Sequence, residues 1–131
     1  MAQSTISVDS INNPHALRMV WHQDVQKSDV TWAFQQIETR LRNTDQPLYV
    51  IVDITAKPNF PLAATINAAM FGPYRNPQLK EWLIVGTNTM AKSIERVLAG
   101  SMGRKNVRWF ETEDAALAYL EIATQNDTPV T

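Results

Sequence analysis

Few side chains in this sequence are suited to nucleophilic, acid–base or metal chemistry. The chain has no cysteine and only two histidines, so thiol chemistry and thiolate metal sites are excluded. His22 and Asp24 have the spacing of one strand face and His15 lies across the preceding turn, which are the residue types of a facial metal triad. Polar strand ends give such neighbours by chance, so we predict neither a metal site nor a cofactor.

Asp53 is the carboxylate in the most suggestive position, because it ends an apolar strand predicted over Leu48–Ile54. A carboxylate there must be solvated or hydrogen-bonded to loop amides, since burying it unpaired is costly. It either belongs to a binding site together with Thr55 or only holds the loop that follows. Acid or base work by Asp53 needs a facing group that the sequence does not identify, and we predict no catalytic residue.

Thr87 and Asn88 follow a second buried strand, predicted over Trp82–Val85. A helix capped by Thr87 or Thr89 comes next, and its first free backbone amides are suited to binding an anion. The plainer alternative is that these threonines only cap the helix. Both interpretations stay open.

The segment 58–74 carries no charged residue. A helix predicted over 62–71 is apolar all round, which is typical of a helix covered on more than one side. The cover is the loop that follows, a second subunit of a homodimer, or a small apolar ligand. Proline and glycine interrupt the segment and exclude a membrane span. The candidate binding residues here are Phe60, Ala68 and Phe71.

Trp32 lies on the side of its predicted helix opposite the apolar stripe. That helix is predicted to begin at a cap, Ser28 or Asp29, and to extend through Arg42. An outward tryptophan either anchors a partner or packs against the N-terminal hairpin or the C-terminal tail. The stripe consists of Val30, Ala33, Phe34, Ile37 and Leu41.

The charge balance argues against a nucleic-acid partner. Twelve Lys and Arg against 13 Asp and Glu leave a net charge of -1, which creates no attractive field for phosphates. Gly100 and Gly103, followed by Arg104, Lys105 and Arg108, mimic the RNA-clamping loop of KH domains. Because a strand follows this loop where a KH domain has a helix, we predict a solvated basic turn.

Hydrophobic periodicity predicts an α/β fold whose elements alternate. Such alternation requires parallel strands joined by right-handed crossovers. We expect a sheet of about five strands, largely parallel with an N-terminal hairpin, covered by about four helices. The remaining predicted elements are strands at 6–8, 16–22 and 107–110 and a last helix, capped by Thr112, that buries Ala116, Leu117, Leu120 and Ala123.

A chain of 131 residues with 44% hydrophobic and 19% charged residues has the size and composition of one folded domain. We expect that domain to span residues 1–131, with 124–131 as a frayed polar tail. The first residues do not have the pattern of a signal peptide, so we expect a cytoplasmic protein.

This order of elements resembles the STAS superfamily, and more narrowly its stand-alone bacterial SpoIIAA-like branch. Two segments carry the resemblance: the central strand 50–55, and the final strand and helix over 107–120, where acids, alanines and an aromatic-Leu pair follow an aromatic. The resemblance implies a SpoIIAA-like fold and a binding or regulatory module rather than an enzyme. It also implies a partner-binding surface near the helix at 62–71.

The resemblance has one departure. Anti-sigma-factor antagonists of the superfamily carry a phosphorylated serine at the start of the helix after the central strand. Here the stretch after Asp53 has neither a serine nor a glycine at that point, and Thr55 does not replace the serine. We therefore expect an interaction module without the family switch, and as the alternative a carrier or sensor of a small apolar or anionic ligand held between the second helix and the sheet.

Overall fold

The structure, a computed structural model, describes residues 6–11, 15–22, 24–56, 67, 76–86 and 107–127. Within these ranges the chain forms one five-stranded sheet whose strand order follows the sequence. The strands are β1 (Ile6–Ser10), β2 (Ala16–Trp21), β3 (Leu48–Asp53), β4 (Leu79–Val85) and β5 (Val107–Phe110).

The sheet is mixed in the way the sequence predicts. β1 and β2 form an antiparallel hairpin, and the pairs β2–β3, β3–β4 and β4–β5 are parallel. β3 is the central strand, and every residue in it before Asp53 is buried. A strand covered on both faces needs apolar side chains at consecutive positions, which explains its unbroken run of Leu, Tyr, Val and Ile.

The first helix, α1 (Lys27–Arg42), begins two or three residues earlier than predicted. Its N-cap is Gln26, so the predicted caps Ser28 and Asp29 are wrong. Asp29 instead occupies the third helical position, where its Oδ2 accepts the backbone N–H of Gln26 at 2.9 Å. This is one half of a capping box, in which the acid satisfies an amide at the helix start. The predicted apolar stripe is confirmed as the buried face.

The last helix, α2 (Glu113–Asp127), begins at the predicted cap, where Thr112 Oγ1 accepts the N–H of Ala115 at 3.1 Å. Ala116 and Leu120 are buried as expected, but Leu117 is 38% exposed and its predicted burial is wrong. Thr124, one residue type not expected in the core, is buried and donates its hydroxyl to the Leu120 carbonyl at 2.9 Å. The helix therefore extends into residues expected in the frayed tail.

Each of these helices covers one face of the sheet. On the α1 face, Phe34 lies between Trp21 and Trp82, with ring centroids 6.3 and 5.8 Å away. On the α2 face, Ala116 and Leu120 pack with residues of β3 and β4, namely Tyr49, Ile51, Leu83 and Val85. The described residues thus form three layers, and β3 supplies alternate residues to both cores.

Two helices, α1 and α2, belong to the described residues, where the sequence led us to expect about four. The helices predicted at 62–71 and after Thr87 lie outside the described residues, apart from Asn67, which is helical and exposed. The strand predicted from Trp82 begins earlier, at Leu79. No helix in the described part of the chain is long and apolar enough to cross a membrane.

Gly86 lies where the end of β4 passes closest to Ile54. A Cβ atom at this position would lie 2.8 Å from Ile54 Cγ1, which is shorter than a normal carbon contact. Hydrogen bonds hold both segments: Gly86 N–H donates to the Phe110 carbonyl and Ile54 N–H donates to the Val85 carbonyl, each at 2.9 Å. The backbone therefore has little freedom to move aside for a side chain.

We expect Gly86→Ala to lower the free energy of unfolding by about 1–3 kcal/mol, because it overpacks this contact. Urea unfolding measures the change. In a double-mutant cycle with Ile54→Ala, the penalty of Gly86→Ala should shrink, since the clashing Cγ1 is gone. An equal penalty in both backgrounds would show that the contact with Ile54 is not the cause.

Candidate functional site

The ends of the parallel strands form one edge of the sheet, as the sequence predicts. The strand register places Asp53 beside Val85, and Val85 beside Phe110. The next residues, Ile54 and Gly86, each donate one more hydrogen bond to the neighbouring strand. Ligands of open α/β sheets bind at such an edge, so it is the first candidate surface.

Asp53 holds the loop that leaves β3. Its Oδ1 accepts two hydrogen bonds from Thr55, from the backbone N–H at 2.9 Å and from Oγ1 at 2.6 Å. A carboxylate that bonds the backbone two residues on makes an Asx turn, which fixes the direction of the chain. This geometry matches the alternative in which Asp53 holds the loop that follows it. Thr55 is exposed, so the turn presents it at the edge.

Of the other predicted site residues, Trp32 lies in the described part of the chain. Trp32 is 41% exposed on the outer side of α1, which is the orientation that the helical stripe predicts. Its role as a partner anchor stays a prediction. The remaining candidates lie outside the described residues, and their roles also stay predictions: Phe60, Ala68, Phe71, Thr87 and Asn88.

The histidine and basic candidates have local partners. His22 Nε2 lies 3.1 Å from Ser7 Oγ, in a hydrogen bond across the β1–β2 hairpin. Among the residues that the structure describes, no three His, Asp or Glu side chains are grouped to hold a metal ion. Arg108 is the second residue of β5, in the strand predicted at 107–110, where it is exposed and forms an ion pair. The other basic residues of the predicted turn, Arg104 and Lys105, lie outside the described ranges.

The partner of Arg108 is Glu81, a buried acid that sequence reasoning missed. Glu81 Oε2 accepts the Arg108 Nε–H at 2.7 Å, and its Oε1 accepts the Tyr119 hydroxyl. The Arg108 guanidinium lies over the Tyr119 ring, 4.7 Å from its centroid, and Phe110 packs against that ring at 5.6 Å. We call Glu81, Arg108 and Tyr119 the β4–α2 cluster, because they link two strands to the helix.

Burial and charge shift the titration of the donors in this cluster. Burial raises the pKa of Tyr119 above its usual value of 10.0, and its hydrogen bond to the Glu81 carboxylate adds to the rise. The same carboxylate, through its hydrogen bond, raises the pKa of Arg108. Both donors therefore keep their protons at neutral pH, and the Glu81 carboxylate has a donor on each oxygen.

A second polar cluster holds the start of α2, on the same face of the sheet but near β1 and β2. Arg18 of β2 donates from Nη1 to Glu113 Oε1 at 3.0 Å, and its Nε lies 3.4 Å from Asp9 Oδ1 of β1. The hydrogen bond to Glu113 is the main cause of the raised pKa of Arg18. We call these residues the β1–α2 cluster. Together the two clusters fix α2 at its first turn and at Tyr119.

A comparison with known families decides what kind of domain this is. The model of SpoIIAA-like proteins matches residues 16–121, which is most of the chain. The chain belongs to the SpoIIAA-like family. The resemblance inferred from the central strand and the last helix is thereby confirmed. No curated protein matches the sequence.

Two solved structures share the SpoIIAA-like fold. One is an uncharacterized protein of the DUF3478 family from Shewanella loihica, with a TM-score of 0.64, 19% identity, and coverage of 88% of this chain and 91% of that one. The other is the anti-sigma factor antagonist SpoIIAA in its unphosphorylated form, with a TM-score of 0.66, 8% identity, and coverage of 88% and 97%. At these identities the comparison shows a common fold.

We expect Glu81→Gln to lower the free energy of unfolding by about 1–2 kcal/mol. The amide loses the charge that strengthens two hydrogen bonds, while the half-exposed Arg108 regains some hydration, which limits the cost. Urea unfolding measures the change, and Glu38→Gln on α1 is the matched control, expected within about 0.5 kcal/mol of wild type. Equal effects of the two substitutions would contradict a stabilising role for Glu81.

The raised pKa of Tyr119 predicts a loss of stability at high pH. Because the folded protein holds this proton more tightly than the unfolded chain, the stabilisation is complete below the unfolded value of about 10 and is lost as pH rises through the folded pKa. We expect the free energy of unfolding to fall more steeply above that pH in wild type than in Tyr119→Phe. Parallel pH profiles for the two proteins would refute the assignment to Tyr119.

Proposed function

We propose that this chain is a non-catalytic STAS-like module that works by binding another protein or a second copy of itself. Membership of the SpoIIAA-like family over residues 16–121 carries the proposal. One protein with the same fold is an anti-sigma factor antagonist, which acts through a protein partner. We place the interaction in the cytoplasm, as the sequence leads us to expect.

The proposed binding surface is the edge where the parallel strands end, together with the segment 58–74. Three described residues of this edge are exposed and polar, namely Thr55, Glu111 and Thr112. The Asx turn at Asp53 supports this choice because it holds Thr55 in one orientation. A rigid loop loses little conformational entropy when a partner binds.

We also propose that the module works without a phosphorylation switch at the family position. The stretch after Asp53 has no serine there, and the Thr55 hydroxyl donates to Asp53 Oδ1 at 2.6 Å. A phosphate on that hydroxyl would place two negative charges against the carboxylate and break the Asx turn. The geometry therefore favours an unmodified Thr55.

Site-specific crosslinking in cells tests the interaction. A photo-reactive amino acid replaces Thr55 in one variant and Asp45 in the other, which is exposed in the loop before β3, at the opposite end of this strand. We expect a discrete protein adduct from position 55, because the proposed surface includes that residue, and none from position 45.

Two results would contradict the proposal. One is the absence of any protein adduct from position 55, combined with a small molecule that stays bound in native mass spectrometry, which would favour the carrier of an apolar or anionic ligand. The other result concerns the phosphorylation switch alone. If the intact mass of the protein is raised by one phosphate, and that increase is absent from Thr55→Val, then Thr55 is phosphorylated and the switch is restored.

A further inference from the structure

The outer face of α2 carries exposed apolar side chains. Ile122 is 62% exposed, Leu117 is 38% exposed, and Ala115 and Ala118 are also on the exposed side. Ile122 and Leu117 are two of the three exposed large hydrophobic residues in the described part of the chain. Exposed apolar side chains grouped on one element are typical of an interaction surface.

This face is also the acidic end of the molecule. From Trp109 to Thr131 the sequence has five acids and no Lys, Arg or His, whereas the preceding 108 residues hold all 12 basic residues and eight acids. Of the acids on α2, Glu113 is paired with Arg18. Asp114 and Glu121 are exposed and lie seven residues apart, so they share one line along the helix.

The helical repeat orders these side chains across the face. At about 100° per residue, the line of Asp114 and Glu121 runs between Leu117 on one side and Ile122 on the other. Ala118 lies between the acidic line and Ile122 and is small enough to let a second backbone come close. We call these residues the acidic face of α2: Asp114, Leu117, Ala118, Glu121 and Ile122.

The C-terminal end of α2 also favours a positively charged partner. A helix C-terminus carries a partial negative charge that Lys, Arg or His in the last turn normally offsets. The last turn of α2 has no basic residue, and the helix ends at Asp127. A cation supplied by another molecule would therefore be stabilised by both the acidic line and the helix end.

We propose that the acidic face of α2 docks a basic amphipathic helix of a partner protein. Lys or Arg side chains along one line of that helix lie against Asp114 and Glu121, and apolar side chains on either side of that line pack on Leu117 and Ile122. This rests on the proposed function above and names the chemistry of the partner. The β1–α2 and β4–α2 clusters hold the receiving helix in place before the partner arrives.

The charge of the face distinguishes this partner from others. Nucleic acid and anionic lipid carry the same sign as Asp114 and Glu121 and are repelled. A symmetric dimer through the same face would place the acidic lines of two copies against each other, which is also unfavourable. A basic helix is the occupant that satisfies both the charge and the apolar surface.

Titration of the full chain with synthetic peptides tests the proposal. Two helical peptides about five turns long share leucines on both sides of one line of the helix and carry either Lys or Glu along that line. We expect saturable one-to-one binding of the Lys peptide, weakened by salt, and none of the Glu peptide. Ile122→Ser and Glu121→Gln should each weaken binding about tenfold, which is about 1.4 kcal/mol. Glu38→Gln, which removes an acid on α1, should leave it unchanged.

Three results would overturn the proposal: no binding of the Lys peptide, binding that Ile122→Ser leaves unchanged, or a dimer in light scattering that Ile122→Ser dissociates. The second would mean attraction to acids elsewhere, and the third would assign the face to a second copy. None of these results affects the crosslink expected from Thr55, so failure here is distinguishable from failure of the proposed function.

Discussion

The buried carboxylate of Glu81 is the constraint that sets the position of α2. A charge enclosed between a sheet and a helix is tolerated only when hydrogen-bond donors surround it. Arg108 of β5 supplies one donor and Tyr119 of α2 supplies the other, so the helix must lie where its hydroxyl reaches the strand. Apolar packing alone allows a helix to slide along a sheet, whereas this directional bond fixes one register for α2.

The two carboxylates that matter most, Glu81 and Asp53, have different structural roles. Glu81 joins elements that are distant in sequence, and Asp53 shapes a loop two residues away from it. Each of these two carboxylates accepts hydrogen bonds from other residues of this chain. The functional surfaces proposed above are therefore the exposed parts of the elements that these acids position, namely the loop at Thr55 and the outer face of α2.

The parts of the fold that sequence predicts are those with a local physical signature. The unbroken apolar run of β3 indicates a strand covered on both faces, and the stripe of α1 repeats with the helical period. The Asx turn at Asp53 is equally local. The β4–α2 cluster joins residues 27 and 38 positions apart, which no local pattern reveals. One feature of the sequence indicates that Glu81 is buried. It lies two residues before the buried Leu83 and therefore on the same face of β4.

Hydrogen exchange of the backbone amides most directly tests whether Glu81 fixes α2 on the sheet. Glu81→Gln lowers the free energy of global unfolding, so we expect both helices to lose protection relative to wild type, with a larger loss in α2 than in α1, which packs on the opposite core. Equal losses in both helices would show a general loss of stability, and unchanged protection in α2 would show that apolar packing alone holds it. Either result would contradict the account.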